Sequence, residues 1–433
     1  MAANCKGNRN ALQTVVAFTL IALVAGQDQQ EKQPSTDPIL VNSKNNLYEG
    51  SQKFALNLFK HVVKRVEDHG EVKTKNIIMS PLSVWTLLAL LSEGAEGETL
   101  HEILNVMNVQ NQSLIRHKFK EMQQTTNVNS SGLEILSAQF MFTNKNQPVK
   151  QDFEHSIHTF YGDQLFEALD FSSSGAAIKM SYDHINKVVS DATKGQIARA
   201  VYPTDVKDAR LLLLSVLFFQ GDWTFPFNRS LTTDAPFYNE NEQIVATVPM
   251  MFQKAVFPFA AFRELQAQIV ELPYGSDRHL SMLVILPRKG VALQEIVARL
   301  ADFSMEEIYR ELKQVAEEYE DDEVEVYLPQ FQITNDLYLD SPLYDMGIRL
   351  ALNKGAAQFN KIADDIFVNT VIQKSKIVVN EEGTTAAAST AAIFVNKATP
   401  PRFIANRPFA FLIVDKRTNQ ILYMGQVKNP MDR

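Results

Sequence analysis

The sequence has 433 residues, of which 45% are hydrophobic and 21% are charged, and its formal net charge is −8. This composition is typical of a globular protein, and the acidic balance disfavours a function that depends on binding nucleic acid. No Pro-, Gly- or Ser-rich linker and no internal repeat divides the chain, so one large domain is expected.

Residues 1–26 have the pattern of a signal peptide. Lys6 and Arg9 form a basic end, and Val24-Ala25-Gly26 offers a small-residue cleavage site. The apolar run between them is short for a membrane span, which needs roughly 20 residues, so an uncleaved anchor is the less favoured alternative. We therefore expect a secreted, extracellular protein that is not attached to a membrane.

Removal of this segment would also remove Cys5, the only cysteine. The mature chain would then have no disulfide, no thiol nucleophile and no cysteine-based metal site. It would keep 40 basic and 50 acidic side chains, a net charge of −10. Three N-x-S/T sites would be open to glycosylation, at Asn111, Asn129 and Asn228.

Short-range patterns predict the first elements. Residues 27–46 are polar and are expected to form a loose N-terminal tail. Ser51 is a plausible N-cap for a helix with apolar residues at three- and four-residue spacing. Residues 76–80 predict a short strand, and Ser80-Pro81 predicts the N-cap and first turn of a buried helix that stops near Gly94.

The middle of the chain predicts large sheets covered by helices. Leu211–Phe219 is a nearly continuous apolar run, which indicates a strand covered on both faces at the centre of a sheet. Further strands are predicted at 136–142, 267–272, 280–286, 326–331, 409–414 and 421–424, and helices at 178–189, 293–300 and 305–315. The mixture indicates an α+β fold.

The segment from Glu381 to Lys397 is unlike the rest of the chain. Two carboxylates and Gly383 precede nine small residues, Thr384 to Ala392. Nothing in this run forbids a strand, but its apolar bulk is too small to hold it down, which favours an exposed loop. A segment that can be either loop or strand is a candidate switch. The alternative is a low-complexity linker.

The order of motifs around this segment resembles that of the serpin family. An E-E-G-T hinge, an alanine-rich run, Asn406-Arg407-Pro408-Phe409 and a closing hairpin follow one another. Three earlier stretches resemble other family motifs, namely Asn76–Ser83, Phe218–Trp223 and Leu328–Phe331. The resemblance implies a serpin domain over 47–433, with about nine helices around three β-sheets and an exposed reactive-centre loop over about 383–403.

The resemblance also assigns site residues. It places the reactive bond at Lys397–Ala398. The hinge would be Glu381, Glu382, Gly383, Thr384, Thr385, Ala386, Ala387, Ala388, Ser389 and Thr390. Trp223 would lie in the breach. The shutter would be Ser80, Ser83, Ser215 and Gln373, and at the last two positions members of the family usually carry Asn and His.

The resemblance implies an inhibitor that works by a suicide-substrate mechanism. Lys397 would enter the acidic specificity pocket of a trypsin-like serine protease, which would form a covalent complex through it. The cleaved loop from Gly383 to Lys397 would then enter the main sheet as a new strand. At ~3.3 Å per residue, it would carry the protease roughly 46 Å. No cofactor is implied, and a monomer is expected.

Other functions fit the residues less well. A non-inhibitory serpin, such as a carrier, storage protein or chaperone, commonly has a bulky or charged hinge, and an enzyme would need a nucleophile motif. His155 and His158 could share a helix face, but without a third ligand they favour surface or core residues over a metal site. The small basic cluster Arg116, Lys118 and Lys120 could make a weak contact with a glycosaminoglycan. The favoured interpretation is a solvated helix face.

Overall fold

The structure is a computed structural model that describes residues 38–68, 75–126, 132–162, 166–318, 322–381 and 400–432. One compact unit comprises Ser43–Arg433, and a second, Met1–Asn42, is described only over residues 38–42, which are helical. None of the described helices is long and apolar enough to cross a membrane.

Ten α-helices lie within these described ranges. They are α1 (Pro38–Asp68), α2 (Pro81–Gly94), α3 (Gly97–Met107), α4 (Gln112–Thr126), α5 (Gln151–Tyr161), α6 (Gly175–Ala192), α7 (Pro203–Val206), α8 (Leu293–Leu300), α9 (Met305–Glu318) and α10 (Asp340–Met346).

The same ranges contain fifteen strands. They are β1 (Ile77–Met79), β2 (Leu133–Asn144), β3 (Phe166–Leu169), β4 (Leu211–Gly221), β5 (Thr233–Tyr238), β6 (Ile244–Ala255), β7 (Phe259–Phe262), β8 (Ala267–Tyr274), β9 (Leu280–Pro287), β10 (Val324–Pro329), β11 (Phe331–Tyr338), β12 (Val368–Val379), β13 (Arg402–Ile404), β14 (Phe409–Asp415) and β15 (Gln420–Val427).

The strands form three sheets. The main sheet has five strands in the spatial order β11-β12-β4-β2-β3, a second sheet has six in the order β1-β15-β14-β9-β8-β7, and a third has four in the order β13-β10-β6-β5. The expected α+β fold, with helices around three sheets, is confirmed.

Strand β4 lies at the centre of the main sheet, as its apolar run predicts. Leu211 to Phe219 are all buried. Leu212, Leu214 and Val216 pack on one face, in an apolar cluster with residues of α6. Leu211 and Leu213 pack on the other face, in the cluster that contains α2. The strand is therefore covered on both sides, which is why it shows no polar alternation.

The beginning of α1 differs from the prediction. The helix starts at Pro38, so Ser51 lies inside it and is not its N-cap, and residues 38–46 are helical where a loose tail was expected. Proline is favoured in the first turn of a helix because its missing N–H has no intrahelical partner there. Polar composition by itself does not separate a tail from a helix, because Lys, Gln and Asn are tolerated in both.

Helix α2 has the predicted ends. Ser80 is its N-cap, its side chain accepts a hydrogen bond from Ser83 N, and Pro81 occupies the first turn. Every residue from Pro81 to Gly94 is buried. A Cβ at Gly94 would lie 2.0 Å from Ile362 Cγ1, so the helix ends at a residue without a side chain because the next layer packs directly against it.

Candidate functional site

Four buried polar residues meet where α2 crosses the main sheet. Ser80 N donates to Gln373 Oε1 at 2.9 Å, and Gln373 Nε2 donates to Ser80 O at 2.9 Å and Ser215 Oγ at 3.5 Å. Ser83 Oγ donates to Ser80 Oγ at 3.1 Å. None of the four residues is more than 5% exposed. The structure thus brings together all the residues expected in the shutter, with the Gln373 amide pairing both backbone groups of Ser80.

This cluster spans the boundary between β4 and β12. Ser215 on β4 and Gln373 on β12 are register partners in a parallel strand pair. Gln139, the partner of Ser215 on β2, extends the row and donates to Ser83 Oγ at 3.3 Å. Sequence reasoning missed Gln139, because its role depends on register and not on a local motif. Any strand that entered between β4 and β12 would have to separate Gln373 from Ser215.

We expect Gln373→Leu to lower the free energy of unfolding by about 2 kcal/mol. It leaves the buried N–H of Ser80 unpaired, whereas Ser80 O still accepts from Val84 N at 3.4 Å. Urea unfolding of the purified variant measures the loss. Gln332→Leu on β11, a half-buried glutamine on the neighbouring strand, is the matched control and should change stability by less than about 1 kcal/mol. Equal losses in both variants would show that the shutter pairing contributes nothing specific.

Trp223 holds the ends of β4 and β12 together at one end of this boundary. Its Nε1 donates to Asn380 O at 2.9 Å, one residue beyond the end of β12. Its ring stacks on that of Tyr274, with centroids 4.3 Å apart and planes 13° apart, and the residue is only 4% exposed. The predicted breach residue therefore fixes the point where the chain leaves the main sheet towards the hinge.

Glu381, the first predicted hinge position and the only one that the structure describes, is also fixed. Its Oε1 accepts from Thr232 Oγ1 at 2.6 Å, and its Oε2 accepts from Gln330 Nε2 at 2.6 Å. Burial alone would raise the pKa of Glu381, but the hydrogen bonds from Thr232 and Gln330, its own backbone and the positive charge of Arg229 lower it overall. The carboxylate is therefore ionised at neutral pH, and the anchoring weakens only in acid, as the pH falls through this lowered pKa.

The chain beyond the predicted reactive bond joins the third sheet. Strand β13 pairs in parallel with β10, and Arg402 Nε donates to Glu325 Oε2 at 2.8 Å. The chain is thus attached at Glu381 on one side and at Arg402 on the other. The remaining hinge positions, Glu382 to Thr390, and the predicted reactive bond Lys397–Ala398 lie outside the described residues.

The β4–β12 boundary has the geometry to accept one further strand. The two strands run parallel, with partners from Val368–Leu211 to Val378–Gln220. A segment that followed β12 and turned back between them would run antiparallel to both strands. One parallel pairing would then be exchanged for two antiparallel pairings, which are slightly more stable per residue.

Two of the three predicted glycosylation sites lie in the described part of the chain. Asn111 and Asn228 are both exposed. Asn111 Oδ1 accepts from Leu114 N at 3.1 Å at the start of α4, and Asn228 Oδ1 accepts from Ser230 N at 2.9 Å. Asn129 lies outside the described residues. Attachment of a glycan at these positions stays a prediction.

The predicted basic cluster on α4 does not form one exposed patch. Lys118 is fully buried and its Nζ donates to Ser51 Oγ at 2.7 Å. Arg116 forms two hydrogen bonds to the buried carboxylate of Glu93, at 2.9 and 2.7 Å. Of the three, only Lys120 is exposed, because the side chains of Arg116 and Lys118 contact neighbouring parts of the fold. Residues two positions apart are close in the sequence, but their side chains do not lie on the same face of a helix.

The two histidines considered as metal ligands lie on the surface of α5. His155 and His158 are both exposed. In the described part of the chain, no group of three His, Cys, Asp or Glu side chains is placed to hold a metal ion. His155 and His158 are therefore surface residues.

Residues 49–430 match the family model described as "Serpin (serine protease inhibitor)". "Serpin B6" of Pongo abelii and "Serpin B9" of Homo sapiens are each 32% identical to this chain, over 89% of it and 99% of their own length. "Intracellular coagulation inhibitor 2" of Tachypleus tridentatus is 31% identical, over 87% of this chain and 90% of its own. The solved structure of native protease nexin-1 with heparin has a TM-score of 0.75 at 25% identity and covers 90% of this chain and 100% of its own.

Proposed function

The chain belongs to the serpin family, and from this we propose that it is a secreted suicide-substrate inhibitor of trypsin-like serine proteases. The protease would cleave Lys397–Ala398 and form an acyl-enzyme at Lys397. The released hinge would then enter the main sheet between β4 and β12 and carry the protease with it before deacylation.

The observation that carries this proposal is the parallel β4–β12 pairing, which is followed in the sequence by a hinge of small residues. Glu381 is anchored just beyond β12, so a strand formed by the residues that follow it in the sequence would begin beside the end of β12. Thr384 to Ala392 include no residue larger than threonine. Small side chains keep the steric cost of entering a packed sheet low, whereas each overpacked position typically costs ~1–3 kcal/mol.

The preference for trypsin-like proteases rests on Lys397. Its long cationic side chain suits an acidic specificity pocket. A basic residue at this position fits proteases of clotting, of plasmin type or of arthropod innate-immunity cascades. A weak glycosaminoglycan contact stays a prediction, for which the exposed Lys120 on α4 and the heparin named with protease nexin-1 are the support.

The proposed secretion rests on the sequence of residues 1–26. Expression in a eukaryotic cell line, with N-terminal sequencing of the protein in the medium, tests it. We expect a mature N-terminus at Gln27. Retention of full-length protein inside the cell would overturn secretion. That outcome is the alternative to test, because the name of the Tachypleus relative includes the word intracellular.

The inhibitory mechanism is tested by incubation with a panel of trypsin-like proteases. We expect a covalent complex on a denaturing gel, and a cleaved protein that melts at a much higher temperature than the uncut one because its main sheet has gained a strand. Cleavage at Lys397 without a complex and without a rise in melting temperature would favour a non-inhibitory serpin. The hinge, which lacks bulky, charged or proline residues over Thr384–Ala392, argues against that alternative.

A further inference from the structure

We propose that two tyrosine–aspartate hydrogen bonds fasten the connector of residues 193–210 across the β4–β12 boundary and delay strand insertion. Tyr202 and Tyr338 would thereby act as positioning residues that set how much of the protease is trapped and how much escapes by deacylation. This inference rests on the proposed function, because it requires a strand that enters the main sheet.

The connector joins α6 to β4 and packs on the main sheet. Ile197, Val201 and Val206 belong to one apolar cluster with Leu214 of β4 and Ile372 of β12. Leu214 and Ile372 are register partners across the β4–β12 boundary. The connector therefore lies against both strands that an inserted segment would separate.

Its polar contacts reach beyond the boundary to the edge strand β11. Tyr202 OH donates to Asp336 Oδ2 at 3.1 Å. Tyr338 OH donates to Asp205 Oδ1 at 3.2 Å. Asp336 and Tyr338 both lie on β11, and Asp336 also pairs with Lys374 of β12. The two hydrogen bonds are reciprocal, since each side supplies one tyrosine and one carboxylate.

The other end of the connector is attached to the opposite side of the boundary. It continues directly into β4 at Leu211, and Lys194 Nζ forms an ion pair of 3.3 Å with Glu134 of β2. Gln196 of the connector also accepts a hydrogen bond of 3.1 Å from Lys376 of β12. If the boundary opened, the connector would move with β4 and β2, while Asp336, Tyr338 and Lys376 would move with β11 and β12, so this contact would break together with the two tyrosine hydrogen bonds.

Insertion of a strand would break the two tyrosine hydrogen bonds. A new strand widens the boundary by about 4.8 Å, the distance between neighbouring strands. Hydrogen bonds of 3.1 and 3.2 Å are lost after a movement of roughly 0.5 Å. Tyr202 and Tyr338 are 37% and 45% exposed, so water can replace their partners. The contacts would therefore slow strand insertion without preventing it.

The electrostatics of the cluster keep the hydroxyls as donors. The pKa of Tyr338 is raised, first by burial and then by the negative charge of Asp205. The pKa of Tyr202 is raised by its hydrogen bond to Asp336 and by the charge of that carboxylate. Both side chains therefore carry their protons throughout the physiological range, and the contacts do not depend on a tyrosinate.

The test compares the full-length protein with Tyr202→Phe/Tyr338→Phe, which removes only the two hydroxyls. The probe is a synthetic peptide with the sequence of Thr384–Ala392, whose uptake is followed by native electrophoresis. We expect uptake about 10-fold faster in the double variant, the effect of losing two partly exposed hydrogen bonds. With trypsin, the stoichiometry of inhibition, which is the number of inhibitor molecules consumed for each protease molecule trapped, should also be lower for the double variant.

Two controls distinguish the inference from a general loss of stability. Tyr344→Phe removes the hydroxyl of an exposed tyrosine on α10, and Lys194→Gln removes a contact between elements on the same side of the boundary; neither should change the uptake rate. The urea midpoint of the double variant should fall in the uncut protein and be unchanged in the cleaved protein, where these contacts are already broken.

The possible failures are separable. Equal uptake rates for the native protein and the double variant, or an equal fall in the urea midpoint of the cut and uncut forms, would overturn the role of Tyr202 and Tyr338. Absence of uptake and of covalent complex in all variants would instead contradict strand insertion, and with it the proposed function.

Discussion

Thr384→Arg is expected to abolish the covalent complex with a trypsin-like protease while leaving cleavage at Lys397 intact. If the cleaved hinge becomes a strand, residue 384 shares one face with Ala386 and Ala388 by the two-residue period. That face would be covered by helices packed on the main sheet, and an unpaired charge there would cost at least about 3 kcal/mol. Insertion would slow by about 100-fold or more. Deacylation would then be faster than insertion, and the protease would release the variant as a cleaved substrate.

The measurement is the fraction of protease found in a complex on a denaturing gel, beside the fraction of inhibitor that is cleaved. Thr385→Arg is the matched control. Its side chain would point to the opposite face of the inserted strand, towards solvent, and should leave most of the complex intact. A complex that persists in Thr384→Arg, or is lost equally in both variants, would contradict insertion in this register.

Lys397→Ala is expected to slow association with trypsin-like proteases by about 1,000-fold. The lysine would pair with the buried carboxylate of the specificity pocket, and loss of one partner of a buried pair costs about 3–5 kcal/mol. Stopped-flow or progress-curve measurements of the second-order rate constant test this directly.

Arg402→Ala is the control for the position of the reactive bond. Arg402 already pairs with Glu325 at 2.8 Å on the third sheet, and its side chain is 57% exposed. Such a surface pair contributes about 0–1 kcal/mol to stability, and we expect the association rate to change by less than about two-fold. A large loss with Arg402→Ala and none with Lys397→Ala would move the reactive bond towards residue 402.

The four shutter residues and Trp223 also bear on how the uncut state persists. Gln373 joins β12 to α2 and to β4, and Trp223 joins the end of β4 to the residue after β12. These contacts lie in the middle and at one end of the boundary that the proposed mechanism would open. The connector, with Tyr202 and Tyr338, adds a third set of contacts across it. Opening the boundary thus requires several polar contacts to break, and under the proposed mechanism these contacts would prolong the lifetime of the uncut state.

Some substitutions relative to the family pattern could be judged only from three-dimensional contacts. Ser215 and Gln373 stand where Asn and His are usual, and the sequence left their pairing open. In the structure the longer glutamine side chain reaches both backbone groups of Ser80, while the shorter serine accepts its remaining N–H. Gln373 and Ser215 thus keep the buried polar groups at this point paired, as burial demands.

The sequence by itself determined the elements whose signals are local. The apolar run of β4 and the Ser80-Pro81 cap of α2 are visible because burial on two faces and capping each affect the choice of neighbouring residues. The order of these signals was also sufficient to indicate the family.

Only the tertiary structure decided which distant residues meet. Lys118 looked like a surface cation and is buried against Ser51, and Tyr202 gave no local sign that it would contact Asp336. Such partners are set by strand register and by the placement of helices on a sheet. Neither is recorded in short-range periodicity, because a hydrogen bond depends on distance in space and not on separation along the chain.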